Sequence, residues 1–168
     1  MRAQQIAAVV ASLDAARVRY LIVGGLAVVA HGYVRATQDL DVVVALDSDN
    51  ARRAAEVFTS LGYRPEAPVG LELFAVEERR AEWRRDKGAM VLPLYHTRDP
   101  LARVELFLSE PFDFERCHAV ALRVEIAPGT IATFLGLDDL LAMKRAAGRP
   151  QDLADVSELE TLHKHVVP

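Results

Sequence analysis

Cysteine is almost absent from this chain, since Cys117 is the one thiol among 168 residues. A lone thiol cannot close an internal disulfide, and it has no second cysteine with which to build a zinc site. A free cysteine usually behaves as a small apolar side chain, so we predict that Cys117 is buried. The sequence therefore excludes a disulfide scaffold and a cysteine-based zinc protein.

Long hydrophobic runs are also missing. Apolar stretches such as Tyr20 to Ala30 are interrupted by Gly24 and Gly25 and are shorter than the roughly 20 residues that a membrane-spanning helix needs. The first residues contain no sustained apolar run that ends in a small-residue cleavage site, so no secretory signal is expected. We therefore expect a cytoplasmic protein with no membrane association.

Positive charge is in deficit, with 20 Lys and Arg against 24 Asp and Glu and a net charge of -4. This balance argues against a protein whose whole surface binds nucleic acid by neutralising phosphates, although it leaves room for a local basic patch. The chain also has no Ser/Gly linker, low-complexity tract or internal repeat. A length of 168 residues with 51% hydrophobic residues predicts one globular domain over residues 1–168.

What the sequence does contain is an alternation of helical and strand patterns. The charged stretch 77–87 fits either a helix or a mobile flap, and Arg98-Asp99-Pro100 is predicted to be the turn of a hairpin. Helices are predicted over 2–17, 26–31, 48–61, 112–117, 137–147 and 151–163, and strands over 20–23, 39–46, 90–95, 102–108 and 119–126. This order predicts an α/β or α+β fold with a mixed sheet flanked by helices.

The most informative pair of residues is Asp39 and Asp41, at the start of the predicted strand 39–46. Side chains two apart in a strand project from the same face, so both carboxylates share one side of the sheet. Their mutual repulsion is relieved by a divalent cation, and carboxylate oxygens suit Mg²⁺ or Mn²⁺. Taken alone, such a pair is equally typical of solvated acids at the end of a strand.

A pair of glycines precedes these acids. Gly24-Gly25 ends the first predicted strand, and the next segment is predicted to begin a short helix at Leu26. Glycine allows backbone to approach a phosphate closely, and a helix N-terminus directs free N–H groups and a positive dipole at an anion. Phosphate and metal are thus expected to meet at one place, although a tight strand-to-helix turn explains the glycines equally well.

The spacing of these features resembles the nucleotidyltransferase superfamily that shares its fold with DNA polymerase β. Within it, the chain looks most like the minimal nucleotidyltransferases related to AbiEii-type toxins. The matching residues are Gly24-Gly25-Leu26-Ala27, His31-Gly32, Arg35-Ala36-Thr37-Gln38-Asp39-Leu40-Asp41 and, near the C-terminus, Lys144, Arg149, Asp152 and Asp155. The resemblance implies a nucleotidyltransferase fold.

The resemblance also implies roles for individual residues. Asp39, Asp41 and a third acid would be catalytic and would hold Mg²⁺ or Mn²⁺. Glu105 occupies the place of the third acid, where the family usually has Asp, so metal geometry and activity are open to change. The nucleoside triphosphate would be bound by Gly24, Gly25, Arg35, Thr37 and Lys144.

The function that follows as an expectation is Mg²⁺-dependent transfer of a nucleoside monophosphate from an NTP to a hydroxyl of RNA or protein, with a toxin-antitoxin partner as one setting. Two alternatives stay open. One is an antibiotic nucleotidyltransferase, by analogy with other proteins of this fold. The other is a regulatory protein that binds nucleotide without transferring it, because its third acid is altered.

Overall fold

The structure, a computed structural model, describes residues 1–164, so residues 165–168 of the predicted domain lie outside the described part. Within the described residues, seven α-helices and one 3₁₀ helix alternate with seven strands. The helices are α1 Ala3–Ala15, α2 Gly24–Ala30, α3 Ser48–Ser60, α4 Glu77–Lys87, α5 Phe114–Ala119, α6 Leu137–Ala147 and α7 Pro150–Lys164, with the 3₁₀ helix at Leu71–Ala75. The strands are β1 Tyr20–Ile22, β2 Asp39–Val44, β3 Tyr63–Pro65, β4 Val91–His96, β5 Asp99–Phe107, β6 Leu122–Ala127 and β7 Thr130–Phe134.

All the strands belong to one sheet in the order β3-β4-β5-β2-β1-β7-β6. Strands β2 and β5 are parallel neighbours, as are β1 and β7, and the other adjacent pairs are antiparallel. The sheet is mixed and flanked by helices, which confirms the predicted fold class. The β4–β5 pairing also confirms the predicted hairpin.

The centre of the sheet is the most apolar part of the chain. All three residues of β1 are buried, and the second half of β2, Val42 to Val44, is fully buried as well. Central strands that are covered on both faces lose the alternation of polar and apolar residues and become continuous hydrophobic runs. In β2, partly exposed and buried residues alternate over the first half of the strand, and the second half is buried throughout. Asp39 and Asp41 lie in the first half.

Several predicted boundaries are corrected. Helix α2 begins at Gly24 and not after the glycine pair, so both glycines lie in its first turn, with Gly24 in the left-handed conformation. The sequence predicts Ser48 or Asp49 as the N-cap of α3, but the N-cap is Asp47, whose side chain accepts a hydrogen bond from the Asn50 N–H at 2.9 Å. Asp47 lies one residue before the two predicted caps and offers the same short carboxylate.

The charged stretch 77–87 forms helix α4, which settles the choice between a helix and a flap. Its two buried residues, Arg80 and Trp83, lie three apart and so share one face. Strand β5 begins at Asp99, so the hairpin turn is shorter than predicted. Strands β3 and β7 were not predicted, although Pro128-Gly129 is a recognisable turn between β6 and β7.

Two further features of the structure concern Cys117 and the length of the helices. Cys117 is buried, as predicted for a small apolar side chain. Among residues 1–164, no helix combines the length and the apolar character needed to cross a membrane.

Candidate active site

The parallel pairing of β2 with β5 brings the predicted acids together. In this register Asp41 is the direct partner of Glu105, and Asp39 is two residues away on the same face as Asp41. The residues between and after the aspartates, Leu40 and Val42, are buried on the opposite face. The apolar side chains therefore fix the register that places Asp41 beside Glu105.

The acids interact strongly with one another. Burial raises the pKa of Asp41 to about 7, and the negative charge of Glu105, a hydrogen bond with Glu105 and the charge of Asp39 act in the same direction. The N–H of Gly25 opposes this shift by donating to the Asp41 carboxylate. A pKa this far above the ordinary value of an aspartate means that the folded chain holds the ionised Asp41 at a cost in stability.

Asp39 contributes an oxygen that is free for a ligand. Its Oδ1 atom is buried and has no hydrogen-bond partner in the described part of the chain. A buried carboxylate oxygen without a donor is unfavourable, because it has lost its water and gained nothing in return. A cation placed here would supply the missing interaction.

The fit of the site to a divalent metal is partial. Within residues 1–164, no group of three or more His, Cys, Asp or Glu side chains is arranged so that it could hold a metal ion. The protein alone thus provides the adjacent carboxylates of Asp41 and Glu105 and the unpartnered oxygen of Asp39. This donor set suits Mg²⁺, which commonly takes one or two carboxylates and completes its shell with water and phosphate oxygens.

The glycine pair packs directly against this site. Gly24 has a φ of +62°, and a Cβ atom there would lie 2.6 Å from Cγ of Asp41. A Cβ on Gly25 would lie 2.9 Å from Cβ of Thr37. Gly24 therefore packs against Asp41, and the next residue, Gly25, packs against Thr37. The glycines are required by close packing against these side chains, in addition to any role toward phosphate.

The structure brings Arg35 and Lys144 to a different carboxylate, Asp155. Arg35 donates a hydrogen bond from Nη2 to Oδ2 of Asp155 at 2.9 Å, and Nζ of Lys144 lies 2.7 Å from the same oxygen. Lys144 also contacts Asp152 at 3.0 Å. Nucleotide binding by Arg35 and Lys144 stays a prediction, and in this structure both cations are engaged within the protein.

Asp152 and Asp155, with the cations bound to them, form a network at the C-terminal end of the chain. Both of its carboxylates are buried and ionised. Burial alone would raise the pKa of Asp155, but hydrogen bonds from Arg35, Lys144 and Gln151 outweigh it and hold the pKa below its ordinary value. For Asp152 the opposing hydrogen bonds come from Arg149 and Lys144, with the same net direction. Buried acids need such partners, so the network is an internal structural unit that joins α6, α7 and the segment before β2.

One cation near the acids was not among the predicted site residues. Arg149 lies between α6 and α7 and donates from Nε to Oδ2 of Asp152 at 2.6 Å. This hydrogen bond and the charge of Asp152 raise the pKa of Arg149, and the charges of Asp41 and Glu105 add to the effect. The signal for it was already in the C-terminal motif, where Arg149 stands between Lys144 and Asp152.

Comparison of the sequence with known protein families and with curated proteins gave no match. The functional reading of this site therefore depends on the chemistry of its own residues.

Replacing Asp41 with Asn is expected to stabilise the metal-free protein. The unfolded chain loses the Asp41 proton near pH 3.8 and the folded chain near pH 7, so the penalty of the wild-type residue grows between these values and is constant above them. At pH 8 with EDTA, we expect Asp41→Asn to raise the free energy of unfolding by about 1–3 kcal/mol. Urea unfolding at pH 8 and pH 4 measures the gain, which should shrink toward zero at the lower pH.

Glu105→Gln is the control for this effect, because it removes the negative charge that repels the Asp41 carboxylate. The double variant should gain less than the sum of the two single variants, since the repulsion can be relieved only once. A decrease in stability for Asp41→Asn at pH 8 would contradict the account of the acid pair.

Gly24→Ala is expected to destabilise the protein by at least about 2 kcal/mol, because the added Cβ collides with Asp41 and the backbone is left-handed. Gly136→Ala is the matched control, since its Cβ would meet only the Val120 carbonyl oxygen at 3.5 Å, an ordinary contact. Thermal unfolding of both variants measures the difference. Equal melting temperatures would show that Gly24 is not constrained by Asp41.

Proposed function

We propose that this protein is a Mg²⁺-dependent nucleotidyltransferase that transfers a nucleoside monophosphate from an NTP to an acceptor hydroxyl. The observation that carries the proposal is the pairing of Asp41 with Glu105 on adjacent parallel strands, with Asp39 on the same face as Asp41. Carboxylates gathered in this way, with helix α2 beginning beside them, are suited to a metal-bound triphosphate.

Asp39, Asp41 and Glu105 would hold the metal together with water and phosphate oxygens, because the three described side chains do not form a metal site by themselves. When bound, Mg²⁺ supplies positive charge that stabilises the charge developing on the phosphates. The acceptor oxygen forms a bond to the α-phosphorus, the bond from that phosphorus to the pyrophosphate oxygen breaks, and the hydroxyl proton passes to a carboxylate or to water. Glu105 is our candidate for the proton acceptor. Gly24 and Gly25 let the start of α2 pack directly against Asp41 and Thr37, and the phosphates would bind against this glycine backbone.

The acceptor is the least constrained part of the proposal. RNA and protein hydroxyls are the acceptors that the resemblance suggests, and a small antibiotic is the alternative within the same chemistry. A partner protein that controls the activity, as in a toxin-antitoxin pair, is compatible with any of these acceptors. The test below therefore offers all three acceptor classes at once.

A specific observation favours one further candidate, a protein that binds nucleotide without transferring it. No described group of three acidic, His or Cys side chains is arranged to hold a metal without help from phosphate or water. Glu105 is longer by one methylene than the Asp usual at this position, which changes where a metal or a base would be held. Binding without turnover is the result that separates this candidate from the enzyme.

The experiment is label transfer from each of the four NTPs labelled at the α-phosphate, with Mg²⁺ or Mn²⁺, in the presence of RNA, protein and small-molecule fractions. We expect label in one fraction, release of pyrophosphate, and a loss of at least about 100-fold in Asp39→Asn and Asp41→Asn because metal ligands are removed. Asp138→Asn, on the exposed start of α6, is the matched control and should keep full activity.

Three results are informative. Transfer that persists in Asp41→Asn would contradict the site. Saturable NTP binding with no transfer to any fraction would favour the binding protein. The absence of both binding and transfer would contradict the proposed function altogether.

A further inference from the structure

Lys144 and Arg149, two cations that contact Asp152, differ in how far they are exposed to solvent. The side chain of Lys144 is 6% exposed, whereas that of Arg149 is 76% exposed, although both contact Asp152. An ammonium group closed between two buried carboxylates can reach a phosphate only by breaking those ion pairs, which is costly in a buried site. Lys144 is thus the internal counter-ion of Asp152 and Asp155.

Arg149 is held on one side and open on the other. Its Nε donates to Oδ2 of Asp152 at 2.6 Å and its Nη2 donates to Oδ1 at 3.3 Å, while Nη1 takes part in neither contact. A guanidinium carries five N–H donors, so several stay available for a second anion. Arg149 can therefore bind a ligand without releasing Asp152.

The backbone around Arg149 fixes where this side chain starts. Gly148 ends α6 in the left-handed conformation with a φ of +65°, and Pro150 is the first residue of α7. The connection between the two helices is thus only Gly148 and Arg149, and a left-handed glycine followed closely by proline is a rigid helix end. Such a connection presents Arg149 at a defined position and not on a flexible loop.

A chain of contacts links the α6–α7 connection to the acid pair Asp41 and Glu105. Asp155, in the network with Lys144, binds Arg35, whose Nη2 lies 3.2 Å from the position of a Cβ on Gly25. Gly25 in turn donates to the Asp41 carboxylate. The charges of Asp41 and Glu105 also help to raise the pKa of Arg149.

We propose that Arg149, positioned by Asp152, contacts a phosphate of the bound nucleoside triphosphate, and that Lys144 supports it from inside the network. The proposal rests on the proposed function and deepens it. A planar guanidinium can donate two parallel hydrogen bonds to a phosphate, which a lysine cannot, so the exposed arginine suits this contact. A further cation on the phosphates would also offset the repulsion between the carboxylates and the incoming triphosphate.

The test is the affinity of the full chain for tripolyphosphate and for each of the four NTPs, with Mg²⁺, measured by isothermal titration calorimetry. Tripolyphosphate is included because it reports on phosphate contacts without a base or sugar. For Arg149→Gln we expect the affinity for every triphosphate ligand to fall roughly 10- to 100-fold, as for the loss of a charge-assisted hydrogen bond. Arg149→Lys should recover part of this loss, because lysine keeps the positive charge but lacks the paired N–H donors of the guanidinium.

Arg145→Gln is the matched control. Arg145 lies on the same helix end, is 51% exposed and forms one surface ion pair with Glu160, so its loss should change the affinity by less than about two-fold. Melting temperatures of the variants report on folding separately from binding. If transfer is active, Arg149→Gln should raise the KM for NTP in parallel with the calorimetric change.

The outcomes separate this inference from the function on which it rests. Wild-type protein that binds triphosphates, together with unchanged affinity in Arg149→Gln, would overturn the role of Arg149 and leave the proposed function intact. Wild-type protein that binds neither tripolyphosphate nor any NTP would overturn both. An equal loss in Arg145→Gln and Arg149→Gln would reduce the effect to general surface charge and would also overturn the assignment.

Discussion

The close approach of Asp41 and Glu105 is the constraint on which the rest of the site depends. Burial and the neighbouring charge of Glu105 together raise the pKa of Asp41 to about 7, so two ionised carboxylates at these positions are unfavourable by themselves. The register that imposes this contact is fixed by buried residues of β2 and β5, such as Val42 and Leu106, which pack on the opposite face. The hydrophobic core thus holds the acids in an arrangement that a cation would relieve, as at many functional sites.

The surroundings of the acid pair are organised by charge as well as by packing. Helix α2 begins with glycines because any larger side chain would collide with Asp41 or Thr37. Behind it, the buried carboxylates of Asp152 and Asp155 hold the cations of Arg35, Lys144 and Arg149. A negative centre therefore lies beside a network of fixed cations, and an anionic ligand with a bound metal is the kind of molecule that complements both.

The sequence was sufficient to predict the fold class and the shared face of the two aspartates, but not which cations are accessible. The spacing of Asp39 and Asp41 on a strand determines that they share a face, and the alternation of helices and strands determines a mixed sheet. Which cation is accessible depends on how α6 packs on α7, and no local pattern distinguishes the buried Lys144 from the exposed Arg149. Short strands such as β3, with three residues, carry too little periodicity to be recognised before their partner is known.

The most direct test of the central claim is the number of Mn²⁺ ions bound per chain in the presence of a non-hydrolysable NTP analogue. Electron paramagnetic resonance measures this number from the loss of the free Mn²⁺ signal, for the wild type, Asp41→Asn and the control Asp138→Asn. The account predicts saturable Mn²⁺ binding in the wild type and the control, and its loss in Asp41→Asn. The same Mn²⁺ binding in Asp41→Asn as in the wild type would contradict the claim that the acid pair is a metal and nucleotide site.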